Sequence, residues 1–187
     1  MLVLGSKSPR RKMLTEEKIT KDFLVFSPDI DEDISYSLPT PLKAVRDIAK
    51  RKCLFCKEHF PNELIICADT IVVLGNEILH KPIDEKDAYN ILKKLSNKTH
   101  QVITAYAINY KDKLILNHVI SDVTFNDIKD ELILSYIKSG SPMDKAGAYG
   151  IQDNNEFPII KSYSGSYENI VGFPTDEILT DIKNISK

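Results

Sequence analysis

Long apolar runs are missing from this sequence. The densest, residues 64–68 and 71–74, fall far short of the roughly 20 residues that cross a bilayer, which excludes them as membrane spans. A surplus of one charge is missing too. With 25 basic and 27 acidic side chains the net charge is -2, so no overall field favours nucleic acid or an anionic membrane, and any anion site must be local. Aromatic residues do not interleave with the basic cluster Lys7, Arg10, Arg11 and Lys12, as a platform for stacking single-stranded bases requires. Three cysteines cannot build a disulfide framework and suit a reducing compartment. Cys53 and Cys56 have C-x-x-C spacing with His59 three residues on, but no second pair completes a tetrahedral metal site, so buried apolar thiols are expected. The apolar residues 1–4 precede their basic neighbours, the reverse of a secretory signal, and a cytoplasmic location is expected. No internal repeat and no Pro/Gly/Ser-rich linker divides the chain. Its 187 residues, 42% hydrophobic, are enough to bury a substantial core, and a single domain over residues 1–187 is expected.

What is present is an alternation of short β-rich runs with amphipathic helical segments, the pattern of an α/β domain around a central sheet. Residues 2–4 read as a first strand. Ser8 is a good N-cap and Pro9 fits a first helical turn, so a helix is predicted there with Met13 and Leu14 on its apolar side. Residues 23–26 predict a second strand. Thr40-Pro41 starts a longer helix with Leu42, Val45, Ala49, Cys53 and Cys56 on one face. Residues 64–68 read as a buried central strand ending at Asp69-Thr70, with the β pattern resuming over 71–74 before a Gly75-Asn76 turn. Asp84 caps a helix carrying Ala88, Ile91, Leu92 and Leu95; residues 101–109 and 114–125 then read as paired strands. Asp127 opens a helix that Gly140 closes in a left-handed cap. Residues 141–152 are loop-like, a strand is predicted over 157–162, and Thr175 caps a last helix.

Two segments carry chemistry. Gly5-Ser6-Lys7-Ser8-Pro9-Arg10-Arg11 combines free backbone N–H groups, a helix N-terminus and fixed cations, a combination that binds phosphate oxygens. Cations there oppose the helix macrodipole at roughly 0.3–1 kcal/mol each, a cost that a bound anion offsets. The Walker-A pattern G-x-x-x-x-G-K-[ST] occurs nowhere, so the cradle is of another kind. The second segment is acidic. Asp31-Glu32 and Asp69 offer hard oxygen ligands from two places, and Asp69 follows a buried run where a carboxylate needs a metal, a cation or hydrogen-bond donors to remain ionised. A solvated acidic turn, and an Asp69 that only caps a turn, are the bland alternatives.

Taken together, Ser6-Lys-Ser8-Pro9-Arg10-Arg11, Asp31-Glu32, Asp69-Thr70, Lys81-Pro82, His100-Gln-Val-Ile-Thr104, Met143-Asp-Lys-Ala-Gly-Ala-Tyr-Gly-Ile-Gln152 and Gly165-Ser-Tyr-Glu-Asn169-Ile-Val-Gly172-Phe-Pro174 resemble the Maf family in order and spacing, over essentially the whole chain. The resemblance implies an inosine-triphosphate-pyrophosphatase-like α/β fold, a central mixed sheet flanked by helices with a nucleotide cleft between two lobes, and a homodimer. It implies a pyrophosphatase that cleaves a nucleoside triphosphate to monophosphate and pyrophosphate. Asp69 would be the proton acceptor, Glu32 and Asp69 ligands of a Mg or Mn ion, and Ser6, Arg10, Arg11, Lys52, Lys81 and Lys145 phosphate neighbours. Arg10, Thr70 and Gln152 are the positions it assigns to substrate selection. Lysine after Asp144 and glutamine at 152 resemble the subfamily acting on dTTP and UTP rather than that acting on 7-methyl-GTP. The carboxamide of Gln152, both donor and acceptor, matches the O4 and N3–H edge of thymine or uracil. His80, Ala105 and Asp153 depart from the pattern, each where glycine is usual, and put loop geometry in question. The main rival is a septation-restraining binding protein that uses the pocket as a nucleotide sensor.

Overall fold

In the computed structural model, which describes residues 1–186, strands β1 (Leu2–Gly5), β2 (Phe23–Phe26), β3 (Leu64–Leu74), β4 (Glu77–Leu79), β5 (Thr99–Tyr110), β6 (Lys113–Phe125) and β7 (Ile160–Ser164) form one seven-stranded sheet. Its order is β2-β1-β3-β5-β6-β7, with β4 added to β3. β1 pairs in parallel with both β2 and β3, whereas β3–β4 and β6–β7 are antiparallel, so the sheet is mixed. Helices α1 (Pro9–Lys18), α2 (Asp33–Tyr36), α3 (Pro41–His59), α4 (Glu85–Leu95), α5 (Asp130–Lys138), α6 (Tyr167–Val171) and α7 (Thr175–Ile185) complete the α/β fold.

The caps explain the helix starts. Ser8 Oγ accepts from the Arg11 N–H at 3.4 Å, Thr40 Oγ1 from Lys43 at 3.2 Å and Asp84 Oδ1 from Asp87 at 2.7 Å, each satisfying an otherwise orphaned donor. Gly140, at φ 78°, donates to the Ile137 carbonyl at 2.9 Å and closes α5 in the left-handed region.

Several boundaries differ from the sequence reading. β3 runs unbroken through Asp69 and Thr70, because strand hydrogen bonding tolerates a polar side chain on a half-buried face. α5 begins at Asp130 rather than Asp127, and Ile128 is fixed by its N–H donating to Ser96 Oγ at 2.8 Å. β7 starts three residues later than predicted. Thr175 is the first residue of α7, behind Pro174 at the cap position. Met13 is exposed on α1 while Leu14 is buried, so one of the two residues expected on the apolar side faces water.

The chain groups into two compact units. The first comprises residues 1–70, 104–119 and 172 onward, the second residues 71–103 and 120–171. Each has its own core. In the first, Val3, Ile65, Ala107 and the thiols Cys53, Cys56 and Cys67 pack together, with Phe26, Phe60 and Leu116 against them. All three cysteines are free and buried, as small apolar residues. A Cβ on Gly5 would stand 2.2 Å from Cys67 Sγ and 2.8 Å from Cys56 Sγ, so the strand end that opens the basic cradle has room only for glycine. In the second unit, Leu92, Leu95, Phe125, Ile128, Tyr136 and Tyr149 belong to a larger cluster. No helix among the described residues is long and apolar enough to cross a membrane.

Candidate active site

In the first unit Lys52 Nζ lies 2.6 Å from Glu32 Oε1 and 3.0 Å from Asp69 Oδ1. The lysine and Asp69 side chains are only 13% exposed, Glu32 39%, so this is a largely desolvated cation between two carboxylates rather than a surface pair. Burial alone would lower the Lys52 pKa, but Asp69 and then Glu32 outweigh it and hold the ammonium above its ordinary value. Three elements deliver these groups: Asp69 from the middle of β3, Lys52 from α3, and Glu32 from the cap position of the short helix α2. α2 is strapped to α3. Arg51 donates to the Asp31 carbonyl at 2.7 Å and to Ser35 Oγ at 2.9 Å, and Ser35 Oγ donates to Asp47 Oδ2 at 2.7 Å. Asp47 and Arg51 are four residues apart on α3, hence on one face with Lys52 beside them. The acidic turn is therefore built in, not merely solvated.

Arg11 is the second hub of this unit. Its Nε donates to the Gly172 carbonyl at 2.9 Å, one terminal nitrogen to Ser6 Oγ at 3.3 Å and the other to Thr70 Oγ1 at 3.1 Å. Thr70 Oγ1 also lies 2.8 Å from Thr104 Oγ1, on the neighbouring strand β5. Ser6 Oγ accepts in addition from the Ser8 N–H at 3.2 Å. Burial depresses the Arg11 pKa and Asp69 opposes it, and the guanidinium, with its very high ordinary pKa, stays charged. The fork thus joins the start of α1, the middle of β3 and the chain entering α7. Ser6, Arg10, Arg11, Glu32, Lys52, Asp69 and Thr70 all belong to this unit.

Lys81, Lys145 and Gln152 belong to the second unit. Lys81 is exposed just beyond β4. Lys145 is buried, and its ammonium donates to the Ser141 carbonyl at 2.5 Å, Ser141 Oγ at 3.0 Å and Asp144 Oδ1 at 2.9 Å, which uses all three of its N–H bonds. Gln152 is exposed, with its carboxamide lying over Gly150.

The family described as Maf-like protein matches residues 1–185. The chain belongs to the Maf family. A curated relative named dTTP/UTP pyrophosphatase, from Aquifex aeolicus (strain VF5), is 39% identical over 186 residues, 99% of this chain and 95% of its own. Another of that name from Ruminiclostridium cellulolyticum is 42% identical over 179 residues, 95% and 92% of the two chains. A third, from Thermococcus onnurineus (strain NA1), is 40% identical over 176 residues, 94% and 93%. A solved nucleoside-triphosphatase/dITP/XTP pyrophosphatase from Mycobacterium abscessus superposes with a TM-score of 0.47 and 12% identity, over 100% of this chain and 98% of that one, a likeness too loose to inform the site.

The three departures from the Maf pattern do not disturb these groups. His80 is exposed and its carbonyl accepts from the Gly147 N–H at 3.3 Å, Ala105 is buried within β5, and Asp153 accepts from the Tyr136 and Ser141 hydroxyls. Sequence reading missed Tyr36 and gave no role to Thr104 or to the Gly172 carbonyl. Burial, then the charges of Asp69 and Glu32, push the Tyr36 phenol well above its ordinary pKa, so it remains a donor. Nothing in α2 as a four-residue sequence signals that placement. Thr104 was in view as part of a motif, but its partner Thr70 lies 34 residues away.

Among the described residues no cluster of three or more His, Cys, Asp or Glu side chains could hold a metal by itself. Glu32 and Asp69 nevertheless share one cation, the Lys52 ammonium, and two hard carboxylates are the kind of oxygen donor that suits a small divalent ion.

Proposed function

We propose that this Maf chain hydrolyses nucleoside triphosphates, dTTP and UTP ahead of purine triphosphates and 7-methyl-GTP, to the monophosphate and pyrophosphate. The observation that carries the reading is the Glu32–Lys52–Asp69 arrangement, in a chain about 40% identical to relatives named dTTP/UTP pyrophosphatase. Asp69 is assigned as the base that orients a water and takes its proton as the water attacks the α-phosphorus. Lys52, 3.0 Å from Asp69 Oδ1, holds that carboxylate in place beforehand, so no reorganisation is needed when charge develops. Glu32 and Asp69 would hold a Mg or Mn ion, whose chemistry when bound is to screen the triphosphate and stabilise the departing pyrophosphate.

Ser6, Arg10 and Arg11, at the N-terminal end of α1, are assigned to phosphate oxygens, with Arg11 keeping two of its five N–H donors beyond the three engaged by protein acceptors. Lys81 is assigned to phosphate as well. Lys145 is less suited to direct contact, since a phosphate must displace one of its present acceptors. Thr70 and Gln152 are assigned to substrate selection, Gln152 through the pyrimidine edge. A site built on such hydrogen bonds rejects bases that leave them unpaired.

The test is pyrophosphate release from dTTP, UTP, dGTP, ATP and 7-methyl-GTP with Mg or Mn present. dTTP and UTP should lead. Better efficiency on 7-methyl-GTP would replace the subfamily assignment, and nucleotide binding without any turnover would favour the sensor reading. A homodimer in the cytoplasm belongs to the same proposal, and light scattering of the purified chain tests the assembly.

A further inference from the structure

The segment after α5 contains a hydrogen-bond network that neither the catalytic assignments nor the family names explain. Asp153 Oδ2 accepts from two hydroxyls, Tyr136 at 2.7 Å and Ser141 at 2.6 Å. A carboxylate can only accept, so Asp153 takes the single hydrogen of each hydroxyl and leaves the oxygen lone pairs facing the other way. Those lone pairs are used. Tyr136 Oη accepts from the Gly150 N–H at 3.0 Å, and Ser141 Oγ accepts from Lys145 Nζ at 3.0 Å. Tyr136 is fully buried on α5, and burial, then its bond to Asp153, raise its pKa well above the ordinary value, so its proton stays in place.

Both arms end at the same spot. A Cβ built on Gly150 would lie 2.7 Å from Gln152 Nε2 and 2.8 Å from Lys145 Cε, so the Gln152 carboxamide and the Lys145 stem close over the Gly150 backbone. One arm of the network anchors that backbone through Tyr136; the other anchors the lysine stem beside it through Ser141. The Asp153 N–H also donates to the Gly150 carbonyl at 3.1 Å, which closes the turn containing Gln152.

We infer that Asp153 is a positioning residue for Gln152: by orienting the Tyr136 and Ser141 hydroxyls it fixes the surface on which the base-reading carboxamide rests, and so sets the preference among nucleobases. This rests on the role proposed above for Gln152. The carboxylate itself touches no substrate, and its effect falls on discrimination rather than on the chemical step.

The experiment compares Asp153→Ala, Asp153→Asn and Tyr136→Phe with the wild-type chain, reading kcat and KM for dTTP and dGTP together with hydrogen exchange of the Gly150 amide. Asp153→Asn keeps an acceptor oxygen for both hydroxyls and should preserve the fold. Asp153→Ala should speed Gly150 exchange, raise the dTTP KM and cut the dTTP-over-dGTP preference by about fivefold, the worth of roughly one hydrogen bond, with kcat for dTTP nearly unchanged. Asp153→Asn should recover most of that preference, and Tyr136→Phe should lose it as Asp153→Ala does. Unchanged preference in a folded Asp153→Ala chain overturns the inference, as does a fall in kcat alone. Unchanged Gly150 exchange also overturns it. If the wild-type chain hydrolyses neither nucleotide, the functional reading fails, and Gly150 exchange alone still decides whether Asp153 fixes the turn.

Discussion

Arg11→Ala should destabilise this chain, although sequence alone points the other way. As a cation in the first turn of a helix, Arg11 opposes the macrodipole, and its removal by itself should gain about 0.3–1 kcal/mol. In the structure its guanidinium makes three hydrogen bonds, to Gly172 at 2.9 Å, Thr70 at 3.1 Å and Ser6 at 3.3 Å. Hydrogen bonds from a charged donor are worth roughly 1.5–3 kcal/mol each, and more is lost when an acceptor is left unpaired in a dry site. Here the acceptors keep other partners: Ser6 retains the Ser8 N–H, Thr70 retains Thr104, and the Gly172 carbonyl retains the Thr70 hydroxyl at 3.3 Å. With that extra penalty absent, the loss is close to the net worth of the shortest bond, to Gly172, plus smaller contributions from the two longer ones, about 2–3 kcal/mol, and the dipole gain reduces it to about 2 kcal/mol. For a chain of this length that is a fall in Tm of about 4–8 °C. Arg11→Lys keeps the unfavourable charge and lacks the planar fork, so it should be no more stable than Arg11→Ala. Urea unfolding of the three proteins at pH 7 measures this directly. Arg11→Ala within about 0.5 kcal/mol of wild type, or more stable, would show that the fork carries no net stability.

Asp69→Asn keeps the side-chain shape and an acceptor for Lys52 but removes the base, so turnover of dTTP should fall roughly 10²–10⁴-fold while circular dichroism shows a folded chain; near-wild-type kcat in that folded protein would refute the assignment of Asp69. EDTA should stop pyrophosphate release and added Mg or Mn should restore it, and undiminished release with the chelator present would remove the metal from the mechanism. Acidification should weaken the second unit through His100, which is buried against Tyr149 and Phe125 with its pKa pushed down to about 4 by burial. Because the folded pKa lies below the unfolded value of 6.5, the unfolded chain binds the proton first, so stability is fully present above pH 6.5 and is lost as pH falls towards 4. The loss is about 3 kcal/mol, and urea unfolding of wild type and His100→Gln from pH 7 to 4 should show a shallower decline in the variant.

Much of the fold was legible because its signals are local. A capping hydroxyl or carboxylate acts within one helical turn, and Ser8, Thr40 and Asp84 open α1, α3 and α4 as their sequences predict. The buried thiols were legible for a related reason: Cys53 and Cys56 share the apolar face of one helix, and no partner pair accompanies them in the chain. The break expected at Asp69 did not occur, since a strand is held by backbone bonds to its neighbours and not by the apolar run that announces it. α2 escaped notice because a four-residue helix has no periodicity, and its position depends on Arg51 and Asp47 of α3.

By itself the sequence determined the residue types of the site, the alternation of strands and helices, and a motif order specific enough to place the chain in its family. It could not decide what each charged group does at rest. Lys52 reads as an ordinary exposed helical lysine until β3 and α2 bring Asp69 and Glu32 to within 3.0 Å and 2.6 Å of it. Arg11 reads as a free cation until Gly172, 161 positions away, supplies a carbonyl. Asp153 reads as a departure from pattern until Tyr136 and Ser141 turn their hydroxyls toward it. In each case the deciding quantity is a short polar contact across a long sequence separation or between loop and helix. Such contacts are strong only where burial has removed water, and burial is a property of the folded chain.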